Sequence, residues 1–129
     1  MTERIFQAWN WEFDYGENPM PDGGSVPAIH AVAYYDDRDR LYRVEEQVSP
    51  SGFSALREGE SPDRYCYEYY CDENGRILQK RSLGEHGEVA VIVDFRYDDQ
   101  RGTVTETVWS PDGGFGRSIR RPYSHPGSR

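Results

Sequence analysis

Three times along this chain a strand rich in aromatics runs into an aspartate, a short polar turn, and an outgoing strand that opens on an apolar or β-branched residue. The copies are Tyr34-Tyr35-Asp36-Asp37-Arg38-Asp39-Arg40-Leu41, Tyr70-Cys71-Asp72-Glu73-Asn74-Gly75-Arg76-Ile77 and Phe95-Arg96-Tyr97-Asp98-Asp99-Gln100-Arg101-Gly102-Thr103-Val104. A repeat of this kind constrains the fold strongly, because one hairpin cannot bury its apolar face alone and must stack on a neighbour. Asn74-Gly75 is the strongest single turn signal, since both residue types accept the positive φ of a tight hairpin. Two copies also end alike, in Ser49-Pro50-Ser51-Gly52-Phe53 and Ser110-Pro111-Asp112-Gly113-Gly114-Phe115, and Phe13-Asp14 followed by Met20-Pro21-Asp22-Gly23-Gly24 reads as a degenerate earlier copy.

Between the turns, apolar residues recur with a period of two, and helical spacing is scarce. Val89, Val91, Val93, Phe95 and Tyr97 fall on one side of an extended chain, opposite Ala90, Ile92, Asp94 and Arg96. Tyr65, Tyr67 and Tyr69 repeat the pattern, as do Ile5, Gln7, Trp9, Trp11 and Phe13, while Val104 and Val108 oppose Thr103, Thr105, Thr107 and Trp109. The expected fold is therefore all-β, an antiparallel meander of about seven to ten strands with little helix. We expect a single β-sheet domain over residues 1–121, with hairpin repeats near 30–53, 65–87 and 89–116, and a flexible basic tail over 122–129. Residues 54–63 read as a polar loop, with Ala55, Leu56 and Arg57 as a helical turn.

The chain has 129 residues, of which 36% are hydrophobic, yet 18 are Phe, Trp or Tyr. That is too little aliphatic material for a large buried cavity and too aromatic for an acidic disordered tail. The net charge of −8 resolves into 23 acids and 11 bases over residues 1–116, and four arginines with no acid over residues 117–129. An acidic body argues against direct nucleic-acid binding and favours association with a basic partner. No stretch approaches the ~18 apolar residues of a membrane helix, and the N-terminus lacks a basic region followed by an apolar core, so a cytoplasmic location is expected. Cys66 and Cys71 lie on a predicted strand, too far apart to bridge unless the chain reverses between them.

The Tyr-Asp hairpins resemble the YD repeat of the Rhs family, whose units run Tyr-Asp, two variable residues, Gly-Arg-Leu, then a strand and a Gly-containing turn. Asp72-Glu73-Asn74-Gly75-Arg76-Ile77 matches best, with Cys71 in place of the tyrosine. Tyr35-Asp36 has Asp39-Arg40-Leu41 and lacks the glycine, and Tyr97-Asp98 has Arg101-Gly102-Thr103, with the order inverted. The resemblance covers about residues 30–116. It implies a context: Rhs proteins carry C-terminal toxins, many of them basic, and small acidic proteins encoded beside them act as immunity proteins that cover the toxin.

The residues themselves point away from catalysis. His30, His86 and His125 have no ligand-type partner at short spacing, the cysteines sit in no nucleophile motif, and Gly113-Gly114-Phe115-Gly116 lacks the Lys-Ser/Thr of a phosphate loop. No cofactor or metal is expected. Asp36, Asp37, Asp39, Asp98 and Asp99 are read as solvated residues at hairpin tips. Together with Tyr35 and Tyr97 they form the expected partner-binding set, Tyr and Arg being common at binding hot spots. The leading expectation is a non-enzymatic protein-binding module, an immunity protein that occludes a basic toxin domain encoded by the neighbouring gene. It would be a monomer or an edge-paired dimer. Two alternatives stand beside it: a structural YD-repeat segment, and a carbohydrate-binding module that stacks sugars on Tyr65, Tyr67, Tyr69, Trp9, Trp11 and Trp109.

Overall fold

Residues able to hold a left-handed backbone decide where the strands of this protein stop. In the computed structural model, which describes residues 2–20, 29–48, 65–84, 86–112 and 114–123, Asp39, Gly75, Gly87 and Gly102 all have positive φ and all sit in hairpin turns. Nine strands result: β1 (Thr2–Asn10), β2 (Tyr15–Pro19), β3 (Ile29–Tyr35), β4 (Leu41–Val48), β5 (Cys66–Cys71), β6 (Ile77–Leu83), β7 (Val89–Asp98), β8 (Thr103–Trp109) and β9 (Phe115–Pro122). They form an antiparallel sheet of order β2-β1-β3-β4-β5-β6-β7-β8-β9, and the described residues contain no helix. From β3 onward the order is a plain meander; β2 departs from it by lying on the far side of β1. The three expected hairpins are β3–β4, β5–β6 and β7–β8. The expected loop and helical turn over 54–63, and the repeat endings at 49–53 and 22–24, lie outside the described residues.

The alternation of Ile5 to Phe13 does not continue as one strand. β1 ends at Asn10, whose carboxamide oxygen accepts the Phe13 N–H at 2.9 Å while its carbonyl accepts the Asp14 N–H at 2.8 Å. A side chain that satisfies the backbone of its own turn competes with the ladder. Trp11 and Phe13 therefore sit in a reversal, and β2 returns along β1 with Trp9 opposite Gly16. At the start of the expected tail Pro122 closes β9 opposite Thr103, and the Tyr123 N–H bonds the Gly102 carbonyl at 2.7 Å; residues 124–129 lie outside the described residues.

The chain divides into two compact units, Met1–Glu68 and Tyr69–Arg129, with the boundary inside β5. In the first, β3 runs between β1 and β4, and His30, Ala31, Val32 and Ala33 are buried on both faces. Ala33 pairs with Val44, which is 0% exposed; burying one such side chain is worth about 1.5–3 kcal/mol. In the second unit, Val93 and Val104 are buried, as expected from their alternation, but Lys80 (2% exposed) and Glu106 share that protection. Lys80 lies opposite Val93, with its ammonium 5.6 Å from the Phe95 ring centroid, and Glu106 is ion-paired with Arg121 at 2.5 Å. Buried charges of this kind persist only with such partners.

Candidate functional site

The expected site residues gather at hairpin turns, and the turns have a common construction. In the β3–β4 turn the Asp36 N–H bonds the Arg40 carbonyl at 2.9 Å, and the Asp39 N–H bonds the Asp36 carbonyl at 3.0 Å. In the β5–β6 turn the Asp72 N–H bonds the Arg76 carbonyl at 2.9 Å, and the Gly75 N–H bonds the Asp72 carbonyl at 3.1 Å. The left-handed residue is Asp39 in one and Gly75 in the other, the arrangement of a β-turn followed by a one-residue bulge.

The leading aspartate closes both turns with its side chain. Asp36 Oδ1 accepts the backbone N–H groups of Arg38 and Arg40, each at 2.9 Å, and Oδ2 accepts Arg40 Nε at 2.9 Å. Asp72 repeats this with Asn74, Arg76 and Arg76 Nε, again at 2.9 Å each. The Arg40 N–H is the strongest influence holding the Asp36 carboxyl below its ordinary range, helped by the Arg40 guanidinium and the Arg38 N–H. For Asp72, burial pushes the carboxyl up, and the Arg76 guanidinium with the Arg76 and Asn74 N–H groups outweighs it. Asp36 is thus a turn-closing group and not a free charge. Its neighbours differ: Asp37 is exposed, and Asp39 is 68% exposed with Arg4 at 3.6 Å. The Arg4 guanidinium lies 4.9 Å from the centroid of the Tyr35 ring, completing the first cluster.

The second unit assembles a larger cluster. Arg76, tied to Asp72, also donates from one terminal nitrogen to both carboxylate oxygens of Asp99, at 3.1 and 3.2 Å, and stacks 4.8 Å over the Tyr97 ring. Tyr97 donates its hydroxyl to the Ile77 carbonyl at 2.6 Å, and its ring meets Tyr123 at 4.7 Å. Asp98 caps its own turn by accepting the Arg101 N–H at 3.1 Å, and Asp98 and Asp99 both face solvent. The inverted Arg-Gly order of this copy produces a different turn, with the left-handed residue at Gly102 immediately before β8. Of the expected residues, Tyr97 and Asp99 come together around Arg76, while Tyr35 and Asp39 come together around Arg4. Arg4, Asp72, Arg76 and Tyr123 were missed. The Asp-x-x-x-Arg spacing at 36–40 and 72–76 was the available signal for the two ion pairs that close the turns.

Elsewhere in the first unit, Tyr34, Arg43, Glu45 and Gln47 share one network. Glu45 accepts from the Tyr34 hydroxyl at 2.7 Å, Gln47 Nε2 at 2.9 Å and Arg43 Nε at 3.1 Å. Burial, followed by the bond to Glu45, pushes the Tyr34 phenol up to about 12. Burial also raises the Cys66 thiol, against the pull of Arg43, which disfavours the thiolate a nucleophile requires. Cys66 and Cys71 stand at opposite ends of β5, and neither is in a disulfide. Of the proposed sugar platforms, Trp9 and Tyr69 are buried; Tyr65 stacks on Tyr67 at 4.7 Å, and Trp11 meets Tyr67 in a tilted contact at 4.4 Å. Among the described residues no group of three or more His, Cys, Asp or Glu side chains could hold a metal, and no helix is long and apolar enough to cross a membrane. No family model, curated protein or solved structure matches the chain.

Proposed function

We propose that this chain is a non-enzymatic protein-binding module for a basic partner, specifically an immunity protein that neutralises a basic toxin domain by covering it. The observation that carries the reading is the presentation of exposed carboxylates, Asp37, Asp39, Asp98 and Asp99, on turns already closed by their own hydrogen bonds. Charges held on ordered turns lose little conformational entropy when a partner arrives. A net charge of −8 adds long-range attraction for a basic surface. Tyr35 and Tyr97, each beneath an arginine, supply the flat aromatic surface common at the centre of interfaces. The resemblance of the Tyr-Asp turns to Rhs repeats supplies the toxin context.

Coexpression with the product of the adjacent gene tests this directly. A stoichiometric complex that co-purifies, together with rescued growth, is the expected result. Absence of both overturns the reading, and binding on a glycan array in their place favours the carbohydrate module.

A further inference from the structure

Among the described residues six arginines are matched to a carboxylate: Arg4 with Asp39, Arg40 with Asp36, Arg43 with Glu45, Arg76 with Asp72, Arg101 with Asp98 and Arg121 with Glu106. Among the described arginines Arg96 and Arg120, like Arg38, Arg81 and Arg117, have no such match. Both are exposed, and among the described residues neither guanidinium has an ion-pair or hydrogen-bond partner. Yet they are not scattered. Thr105 of β8 is paired with Arg96 on β7 and with Arg120 on β9, so the three form one row across three strands. At a strand spacing of ~4.8 Å the two arginine Cβ atoms stand roughly 10 Å apart, within reach of a single anion between their guanidiniums.

This row forms one end of an open groove of about 620 Å³, whose lining includes Asp94, Arg96, Thr105, Thr107, Trp109 and Arg120. The next row along the same face is Asp94, Thr107 and Ser118. Gln79 Nε2 donates to Asp94 at 2.7 Å, and the Thr107 and Ser118 hydroxyls are bonded to each other at 2.9 Å. Beyond it lies Trp109, with the 62% exposed Phe115 packed edge-on at 5.6 Å. The Trp109 indole N–H is buried and has no hydrogen-bond partner among the described residues. An unmet buried donor costs about 1–3 kcal/mol, so a ligand oxygen that reaches this N–H would be favoured.

We propose that this groove binds a hydroxylated oxyanion of the sugar-phosphate or sugar-carboxylate class. Its anionic group lies between Arg96 and Arg120 above Thr105, and its hydroxyls face Thr107, Ser118 and Asp94. Two unpaired guanidiniums select the anion, the carboxylate one row away places hydroxyl donors beside itself, and Trp109 supplies an apolar wall. This site uses none of the turn residues assigned to the protein partner, so the two functions separate by mutation.

The test is an amide and indole NMR titration of the full chain with glucose 6-phosphate, glucuronate and glucose at millimolar concentration. The expected result is movement of the Thr105 and Thr107 amides and the Trp109 indole resonance with at least one anionic sugar, the responding sugar identifying the oxyanion. Glucose should bind at least roughly tenfold more weakly, and Arg96→Gln with Arg120→Gln should weaken the anionic sugar by roughly tenfold or more. Both arginines are exposed, so an unchanged thermal midpoint is expected and confirms that the variant is folded. The proposal is overturned if neither anionic sugar moves these resonances, if glucose binds as tightly, or if the folded double variant titrates like the parent.

Discussion

The carboxylate of Asp72 grips Arg76 twice, taking the guanidinium Nε on one oxygen and the backbone N–H of the same residue on the other, both at 2.9 Å. The same oxygen that takes the Arg76 N–H also takes the Asn74 N–H, so one side chain fixes the whole turn. Asp72→Ala removes all three bonds and should lower the thermal midpoint by on the order of 5 °C. Asp72→Asn keeps an acceptor for the backbone N–H groups and loses the ion pair, so a smaller drop is expected. Thermal unfolding followed by circular dichroism measures both.

Acid should destabilise the protein through these same groups. Asp36, Asp72 and Glu45 are all held below their ordinary values in the folded chain. Between the folded values and the ordinary carboxylate range of about 4, the unfolded chain binds more protons, so stability rises with pH across that window. The contribution is fully present above the ordinary range and is lost as pH falls through the folded values. Denaturant midpoints measured on descending pH should therefore fall, and the fall should be shallower in Asp36→Asn with Asp72→Asn.

Alkali acts on Tyr34 with the opposite sign. Its phenol is pushed up to about 12 by burial and by the bond to Glu45. The folded chain holds that proton longer than the unfolded chain, so the contribution is complete below about 10 and disappears as pH rises through about 12. A phenolate absorbance titration should show a late-titrating class of tyrosine. Glu45→Gln removes a charge that opposes ionisation and should move part of that class to lower pH.

Much of this fold was legible because alternation and turn chemistry agree. Val93 and Val104 are buried as their period-two positions require, and Gly75 is left-handed where Asn-Gly demands it. Where they disagreed, a local side chain decided. Trp11 and Phe13 prolong the alternation of β1, but the Asn10 carboxamide bonds the Phe13 N–H and ends the strand. The site was less legible because an aspartate at a hairpin tip looks the same in sequence whether it faces solvent or closes its turn. Asp36 and Asp37 are adjacent and do one of each. Lys80 and Glu106 were invisible as buried positions, because their protection depends on Phe95 and Arg121 across the sheet.

Two glycines separate shape from conformation. The Phe6 ring lies directly over Gly16, where an added Cβ would overlap it, so Gly16→Ala should cost about 1–3 kcal/mol through overpacking. Gly75 has open space around it and φ of 83°, so Gly75→Ala should cost about 1 kcal/mol through backbone strain, and Gly75→Asn less. Urea unfolding of the three variants gives the comparison.

Asp39 offers the cleanest probe of binding, because its φ of 60° suits glycine and its carboxylate is exposed. A protein carrying Asp37→Lys, Asp39→Gly and Asp99→Asn should keep its fold while losing rim charge. The decisive measurement is the association rate of parent and variant with the product of the adjacent gene, taken at low and at high salt. A parent rate that falls steeply with salt, and a variant rate roughly tenfold lower at low salt, is the expected result. Absence of association, or a rate indifferent to both salt and these substitutions, would contradict the assignment of the acidic turns to a basic protein partner.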